Sequence, residues 1–413
     1  MGQTESSTKS NAVNAESESA ATIDQNKATS VSPEYYERRL LRECEHIPFD
    51  VEAWYKILCS QTFYTEFIPI SPSIARAFVN YYQTRYNSKQ LLNSNDVQLI
   101  QSIEHQLKEQ IFSSKDSPFQ TNGTFIRLSS RSPKDGCPLN LQTLVKLYHQ
   151  ELAALQVQYP NECDSMEGRA NMQLIACCSA QFQSLKSTNE FDALNLILSS
   201  ERVFIDLLAA LDCQDVKDNQ LLNTKNIVLP EWNNNIIIRE WNHLLDPSME
   251  FRCFVCKSNL TAISQYNHYC KFYHLQSDST IQRIKSTIIQ YWQQKVKPLL
   301  DPFNDLYSNY VIDFALIENK ISNEFECVVI ELNPFAKSTG ASLFDWQTDV
   351  DQLTEQRNEI EIRVRSDYFP NICEYVEYVL AENELNANKT LSSENDDKES
   401  YFSFLNKIQV QLA

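Results

Sequence analysis

Apolar positions along this 413-residue chain follow two rhythms, and the change from one to the other marks the elements. Period-two alternation rich in β-branched and aromatic residues predicts strands over 63–71, 123–128, 235–241, 249–256, 259–265, 311–317, 325–332 and 359–364. Apolar spacings of three and four predict helices over 72–86, 96–112, 139–158, 166–185, 199–211 and 278–300. The last is the clearest, because Ile281, Ile284, Ile288, Trp292 and Val296 form one stripe suited to packing on a sheet. Ser71 ahead of Pro72 reads as a helix start, and so does Ser199 or Ser200 ahead of Glu201. Helices 139–158 and 166–185, joined by YPNECDS, read as a hairpin, while Lys257 and Ser258 form a two-residue turn between strands. Residues 33–46 look like a short charged helix, followed by Trp54 and Tyr55 as core anchors.

The same parity groups the candidate chemistry. Glu331 and Asn333 leave one face of their strand, and Pro334 then ends regular pairing. Asp313 lies on the neighbouring strand, where pairing could bring it alongside them. Two carboxylates and an amide oxygen are hard ligands of the kind Mg²⁺ takes, completed by water and a substrate's phosphates; ordinary polarity at a sheet edge is the alternative. Strand 123–128 runs into SSRSPKDG, so Arg127, Arg131 and Lys134 fall together on a strand-to-loop transition that ends in a turn at Asp135 and Gly136. Such a cluster could hold a polyphosphate, or it could be a solvated loop in surface ion pairs. Arg239 shares a face with Trp241, and Glu250 with Arg252 and Phe254.

Composition narrows these options. With 42% hydrophobic and 22% charged residues the chain is globular, and its length admits two or three domains or subdomains. Residues 1–32 contain almost no large apolar side chain and are expected to be a disordered tail, with a mobile acidic stretch over 382–399 near the other end. A formal net charge of −18 argues against nonspecific nucleic-acid binding. Only 5 glycines are present and no Walker loop or G-x-G-x-x-G exists, so any phosphate must be held mainly by side chains. The 12 cysteines show no regular framework and no secretory signal precedes them, which favours a reduced, cytoplasmic protein. Cys253, Cys256, His268 and His274 approach a zinc-finger spacing, but residues three apart on a strand leave opposite faces, and no turn residue separates the cysteines. No apolar run reaches 18 residues. The opening MGQTESS places Gly2 and Ser6 as N-myristoylation does; with no polybasic flank a lipid would anchor only marginally, so membrane contact is expected only if Gly2 is acylated.

Taken together, CEHIPFDVEAWY, FIRLSSRSPKDG, REW with EFRCFV and AISQY, and VIDF followed by IELNPF and LFDW resemble, in order and spacing, the cell division cycle protein 123 (D123) family over roughly residues 44–365. The resemblance implies an α+β, ATP-grasp-like fold with two α+β lobes and a nucleotide cleft between them. It implies ATP and Mg²⁺ as cofactors and a chaperone role in assembling translation initiation factor two through its gamma subunit, without established catalysis. With the fold expected to start near Pro33, the domain spans 33–365, with a helical insertion at about 139–198 and a C-terminal helical and acidic tail over 366–413. Asp313, Glu331 and Asn333 match the family's metal ligands. Arg127, Ser132, Lys134, Asp135, Arg239, Trp241 and Arg252 match nucleotide-facing positions. The chain departs from the family at Ser129 and Ser130, which replace Asn-Trp, at Glu331, which replaces Asp, and at Arg127, which replaces Lys. A ligase or phosphoryl or nucleotidyl transferase with an unknown acceptor, and a scaffold without nucleotide, are the competing functions.

Overall fold

The computed structural model describes residues 45–86, 91–113, 117–136, 141–218, 231–319, 324–355 and 359–382. The expectations for 1–32, for most of 33–46, for Gly2 and for the stretch beyond 382 lie outside the described residues. In chain order the elements used below are α1 (Val51–Leu58), β1 (Thr65–Ile70), α2 (Pro72–Tyr86), α3 (Ser94–Leu107) and β2 (Thr124–Leu128). They continue with α4 (Leu141–Gln158), α5 (Met166–Ser184), β3 (Lys186–Ser187), α6 (Glu190–Ser199), α7 (Glu201–Asp218) and β4 (Asn234–Glu240). The second half adds β5 (Glu250–Cys256), β6 (Asn259–Gln265), α8 (Asp278–Tyr291), β7 (Tyr310–Asn319), β8 (Glu324–Pro334), β9 (Glu361–Arg363) and α9 (Ile372–Glu382).

These elements form the α+β architecture expected from the sequence, with one sheet per lobe. The first sheet has the order β1-β4-β2-β3 and the second β8-β7-β5-β6-β9. Alternation decides what each face does. Ile126, Leu128, Ile236 and Ile238 point into a core closed by α2, α3, α6 and α7, while Arg127 and Arg239 stand on the opposite face, toward the second sheet. In the second sheet Phe251, Cys253, Val255, Ile312 and Phe314 join the largest core with α8. The opposite face carries Glu250, Arg252 and Asp313 at one end and a small cluster of Phe254, Val311, Phe344 and Leu353 at the other.

Local chemistry explains the element boundaries. Ile74 N donates to Ser71 Oγ at 3.3 Å, and Val203 N donates to Ser200 Oγ at 3.1 Å, so both serines cap as their positions suggested. Lys257 and Ser258 have φ of 50° and 58°, the left-handed pair that a type I′ hairpin turn requires. The apolar stripe of 278–300 is kept in register by a single π-helical stretch, Trp292–Val296, which puts Trp292 and Val296 in the core below Ile284 and Ile288.

The stretch 139–198 is more than added helix. Its α4 and α5 pack as the predicted hairpin, but β3 then pairs with β2 as the edge of the first sheet, and α6 buries Leu194 and Ile197 in that sheet's core. Periodicity alone could not find a two-residue strand.

Candidate functional site

The site is a cavity of about 170 Å³ between the two sheets, lined on one side by Phe63, Phe125, Phe182, Leu185 and Trp241 and on the other by Lys134, Glu250, Tyr266, Asp313 and Glu331. Its acidic side comes from strand register. Arg252 on β5 pairs across with Asp313 on β7, and Asp313 with Glu331 on β8, so the three side chains share one face. Asn333 follows on that face and donates its amide to Asp313 Oδ2 at 3.3 Å.

Each carboxylate has a guanidinium partner. Arg252 grips Asp313 with two bonds, Nε to Oδ1 at 2.9 Å and Nη2 to Oδ2 at 2.7 Å, and donates a third to Gly340 O at 2.6 Å. Burial pushes the Asp313 carboxyl up against the pull of Arg252, yet the paired short bonds are those of an ion pair. Burial would lower Arg252, but the Asp313 charge and hydrogen bond outweigh it and hold the guanidinium firmly charged.

The second pair crosses between lobes. Arg127 Nη1 on β2 donates to Glu331 Oε2 on β8 at 2.6 Å. Burial would raise the Glu331 carboxyl, but Arg127, Lys134 and Arg252 outweigh it and hold it well below the usual carboxylate range. A β-bulge makes a further link possible: pairing shifts between Asp313 and Phe314, so Ile330 falls out of the ladder. Its carbonyl accepts from Arg239 Nη1 at 2.6 Å. Arg239 also donates to Thr62 Oγ1, which in turn donates to Val329 O at 2.7 Å. Burial, together with the Arg127 charge, pushes Arg239 down to about 9, which still leaves it charged at neutral pH.

Lys134 reaches in from the loop after β2. Its Nζ donates to the Tyr266 hydroxyl at 2.8 Å and lies 4.6 Å from a Tyr266 ring centroid that also faces Arg252 at 4.9 Å. Burial would lower the ammonium, but Tyr266, Glu250 and Glu331 raise it beyond its ordinary value. Glu250 is nine-tenths buried on the cavity wall with no side-chain hydrogen bond among the described residues. Burial, with Asp313, Glu331 and Asp246 nearby, pushes its carboxyl up to about 7 against Lys134.

The structure thus gathers Arg127, Lys134, Arg239, Trp241, Arg252, Asp313, Glu331 and Asn333 at or directly behind one cavity. Ser132 and Asp135 do not line it. The Ser132 hydroxyl is buried without a hydrogen-bond partner, and Asp135 accepts from Ser200 Oγ at 2.5 Å and from Arg202 N at 3.0 Å, holding the loop against the first turn of α7. Arg131 is likewise drawn off by Asp206, at 2.9 and 3.0 Å. Sequence reading missed Glu250 and Tyr266 as cavity residues. Glu250 was within reach, since parity already placed it beside Arg252; Tyr266 follows the last residue of β6 and carries no local signal.

Comparison with known proteins adds a family. The D123 family model matches residues 178–380, which include Arg239, Trp241, Arg252, Asp313, Glu331 and Asn333. That stretch, just under half of the chain, is similar to the D123 family. The "Translation initiation factor eIF2 assembly protein" of Dictyostelium discoideum is 31% identical over 175 residues, 42% of this chain and 40% of that protein. The protein of the same name from Candida albicans is 26% identical over 184 residues, 44% of this chain and 47% of the relative. The matches therefore span less than half the length of these relatives. The structure of Cdc123 from Schizosaccharomyces pombe aligns at a TM-score of 0.47 and 21% identity over 80% of this chain and 98% of that one. The basic loop with Arg127 and Lys134 lies before the D123 stretch.

Proposed function

We propose that this protein is an ATP- and Mg²⁺-binding assembly chaperone for translation initiation factor eIF2, acting through that factor's gamma subunit on an ATP-grasp-like fold. One observation carries the reading: Arg127, Lys134, Arg239 and Arg252 surround Asp313 and Glu331 in a cavity between lobes, within a chain related to proteins named for eIF2 assembly. The donor set fits the ion. Both carboxylates keep lone pairs beyond those their arginines occupy, and the Asn333 amide adds a neutral oxygen. Asp313, Glu331 and Asn333 would hold Mg²⁺, whose contribution is to neutralise phosphate oxygens. Arg127, Lys134 and Arg252 would bind the remaining phosphate charge, and Asp135 would position Lys134 by fastening its loop to α7. A phosphate competing for Arg127 and a cation competing for Glu331 would exchange the bond between lobes, so nucleotide would bias the angle between them and the surface offered to a partner.

Calorimetric titration with Mg-ATP tests the site. Wild-type protein should bind, and the Glu331→Ala, Asn333→Ala double variant should lose at least the roughly tenfold that even outer-shell changes cost a metal site. Equal affinity would refute the assignment. Co-purification tests the partner separately: failure to retain the gamma subunit, with Mg-ATP binding intact, would refute the assembly role alone. A second reading, phosphoryl or acyl-phosphate chemistry, is favoured by Glu250, whose carboxyl near 7 beside Lys134 suits proton transfer. Release of ADP or phosphate with an acceptor would support it, and its persistent absence would exclude it.

A further inference from the structure

Outside the cleft, two sequence-remote stretches, 269–274 and 365–369, meet α9 at a surface rich in aromatic rings. The Tyr269 ring stacks on Tyr375 at 5.5 Å and meets Phe369 edge-on at 5.3 Å, and Phe369 lies 4.7 Å from Tyr375. Helix α9 buries Ile372, Val376 and Leu380 along one stripe, which leaves Glu374, Glu377 and Tyr378 facing outward. Tyr378 is 62% exposed and Tyr269 39%. Exposed rings thus stand beside exposed carboxylates, and interfaces are where tyrosine is enriched.

The chain itself shows what these rings accept. Arg365 places its guanidinium 5.3 Å from the Phe369 centroid, and Lys271 places its ammonium 4.6 Å from that of the adjacent Tyr368. We infer that the face formed by Tyr269, Phe369, Tyr375, Tyr378, Glu374 and Glu377 is a docking surface for a basic segment of a partner protein, whose Arg or Lys side chains lie over Tyr375 and Tyr378 and pair with Glu374 and Glu377. Charge complementarity selects this occupant. A second copy of a chain carrying −18 would be repelled, as would nucleic acid or an anionic membrane. The inference goes beyond the proposed function and does not require the cleft to bind nucleotide.

Fluorescence anisotropy of full-length protein with a labelled arginine-rich peptide, in the absence of nucleotide, tests it. Glu374→Lys with Glu377→Lys should weaken binding by about tenfold, and Tyr378→Ala, at a position too exposed to threaten folding, should weaken it by several fold. A control with the same change in net charge, Glu109→Lys with Glu326→Lys at exposed positions elsewhere, should have much less effect. Equal weakening by patch and control pairs would mean attraction by net charge alone and would overturn the inference. So would an unaffected Tyr378→Ala variant, no binding by the wild type, or a dimer in sedimentation that the patch substitutions abolish.

Discussion

The two arginine–carboxylate pairs of the cleft differ in what they join. Arg252 and Asp313 sit opposite each other on neighbouring strands of one sheet, with side chains 9% and 2% exposed, and are bonded at two points. Arg127 and Glu331 come from different sheets, are bonded at one point, and leave the Glu331 side chain 16% exposed to the cavity. Arg127 and Arg239 find their partners, the Glu331 carboxylate and the Ile330 carbonyl, in the other lobe. The pair within the sheet is part of the fold, because removing either member strands a buried charge. The pair between lobes is the looser one, because it rests on a single bond and its Glu331 carboxylate lines the cavity.

The largest effect should come from the buried pair. Arg252→Ala is expected to cost about 3–5 kcal/mol, read as a shift in the chemical denaturation midpoint. Next comes Glu250. Its raised carboxyl keeps its proton in the fold while the unfolded chain releases it, so stability falls as pH rises from about 4.5 to about 7, by roughly 3 kcal/mol in total. Glu250→Gln should flatten that slope in denaturation curves taken across this range. A slope unchanged in the variant would place the titration elsewhere. Glu331 works in the opposite sense: its depressed carboxyl stabilises the fold at neutral pH, and that contribution is lost as pH falls below the ordinary carboxylate range.

Arg127→Ala should cost less than Arg252→Ala, about 1–3 kcal/mol, since Glu331 retains Lys134 nearby and access to water. Equal costs for the two arginines would break the distinction between them. The smallest effect concerns the loop: Ser200→Ala removes the α7 cap and the bond to Asp135, for about 1 kcal/mol by thermal unfolding, and should also weaken phosphate binding by Lys134 if that loop is what positions it.

Much of the cleft was legible because strand parity is exact over short distances. Glu331 and Asn333, Glu250 and Arg252, and the turn at Lys257 and Ser258 each follow from neighbours in sequence. What could not be read depends on distant contacts. Asp135 matches a nucleotide-facing position of the family, but no neighbour in sequence shows that its carboxylate bonds Ser200, 65 residues on, at the start of α7. The bulge that frees the Ile330 carbonyl depends on the pairing of β7 with β8, and the two residues of β3 are a strand only because β2 lies beside them. Among the described residues, those of the cleft included, no helix is long and apolar enough to cross a membrane, and no group of three or more His, Cys, Asp or Glu is arranged for a metal.

If Asp313, Glu331 and Asn333 hold Mg²⁺ beside a bound nucleotide as proposed, Glu331 would give up its bond to Arg127 for the ion. Calorimetric affinity for ATP, with Mg²⁺ and with the metal chelated, measured for the wild type and for Glu331→Gln, tests it most directly. Mg²⁺ should strengthen binding to the wild type by about tenfold or more, and Glu331→Gln, which keeps the side chain's size and an acceptor for Arg127, should remove most of that gain. Mg²⁺-dependence of equal size in both proteins, or none in the wild type, would contradict it.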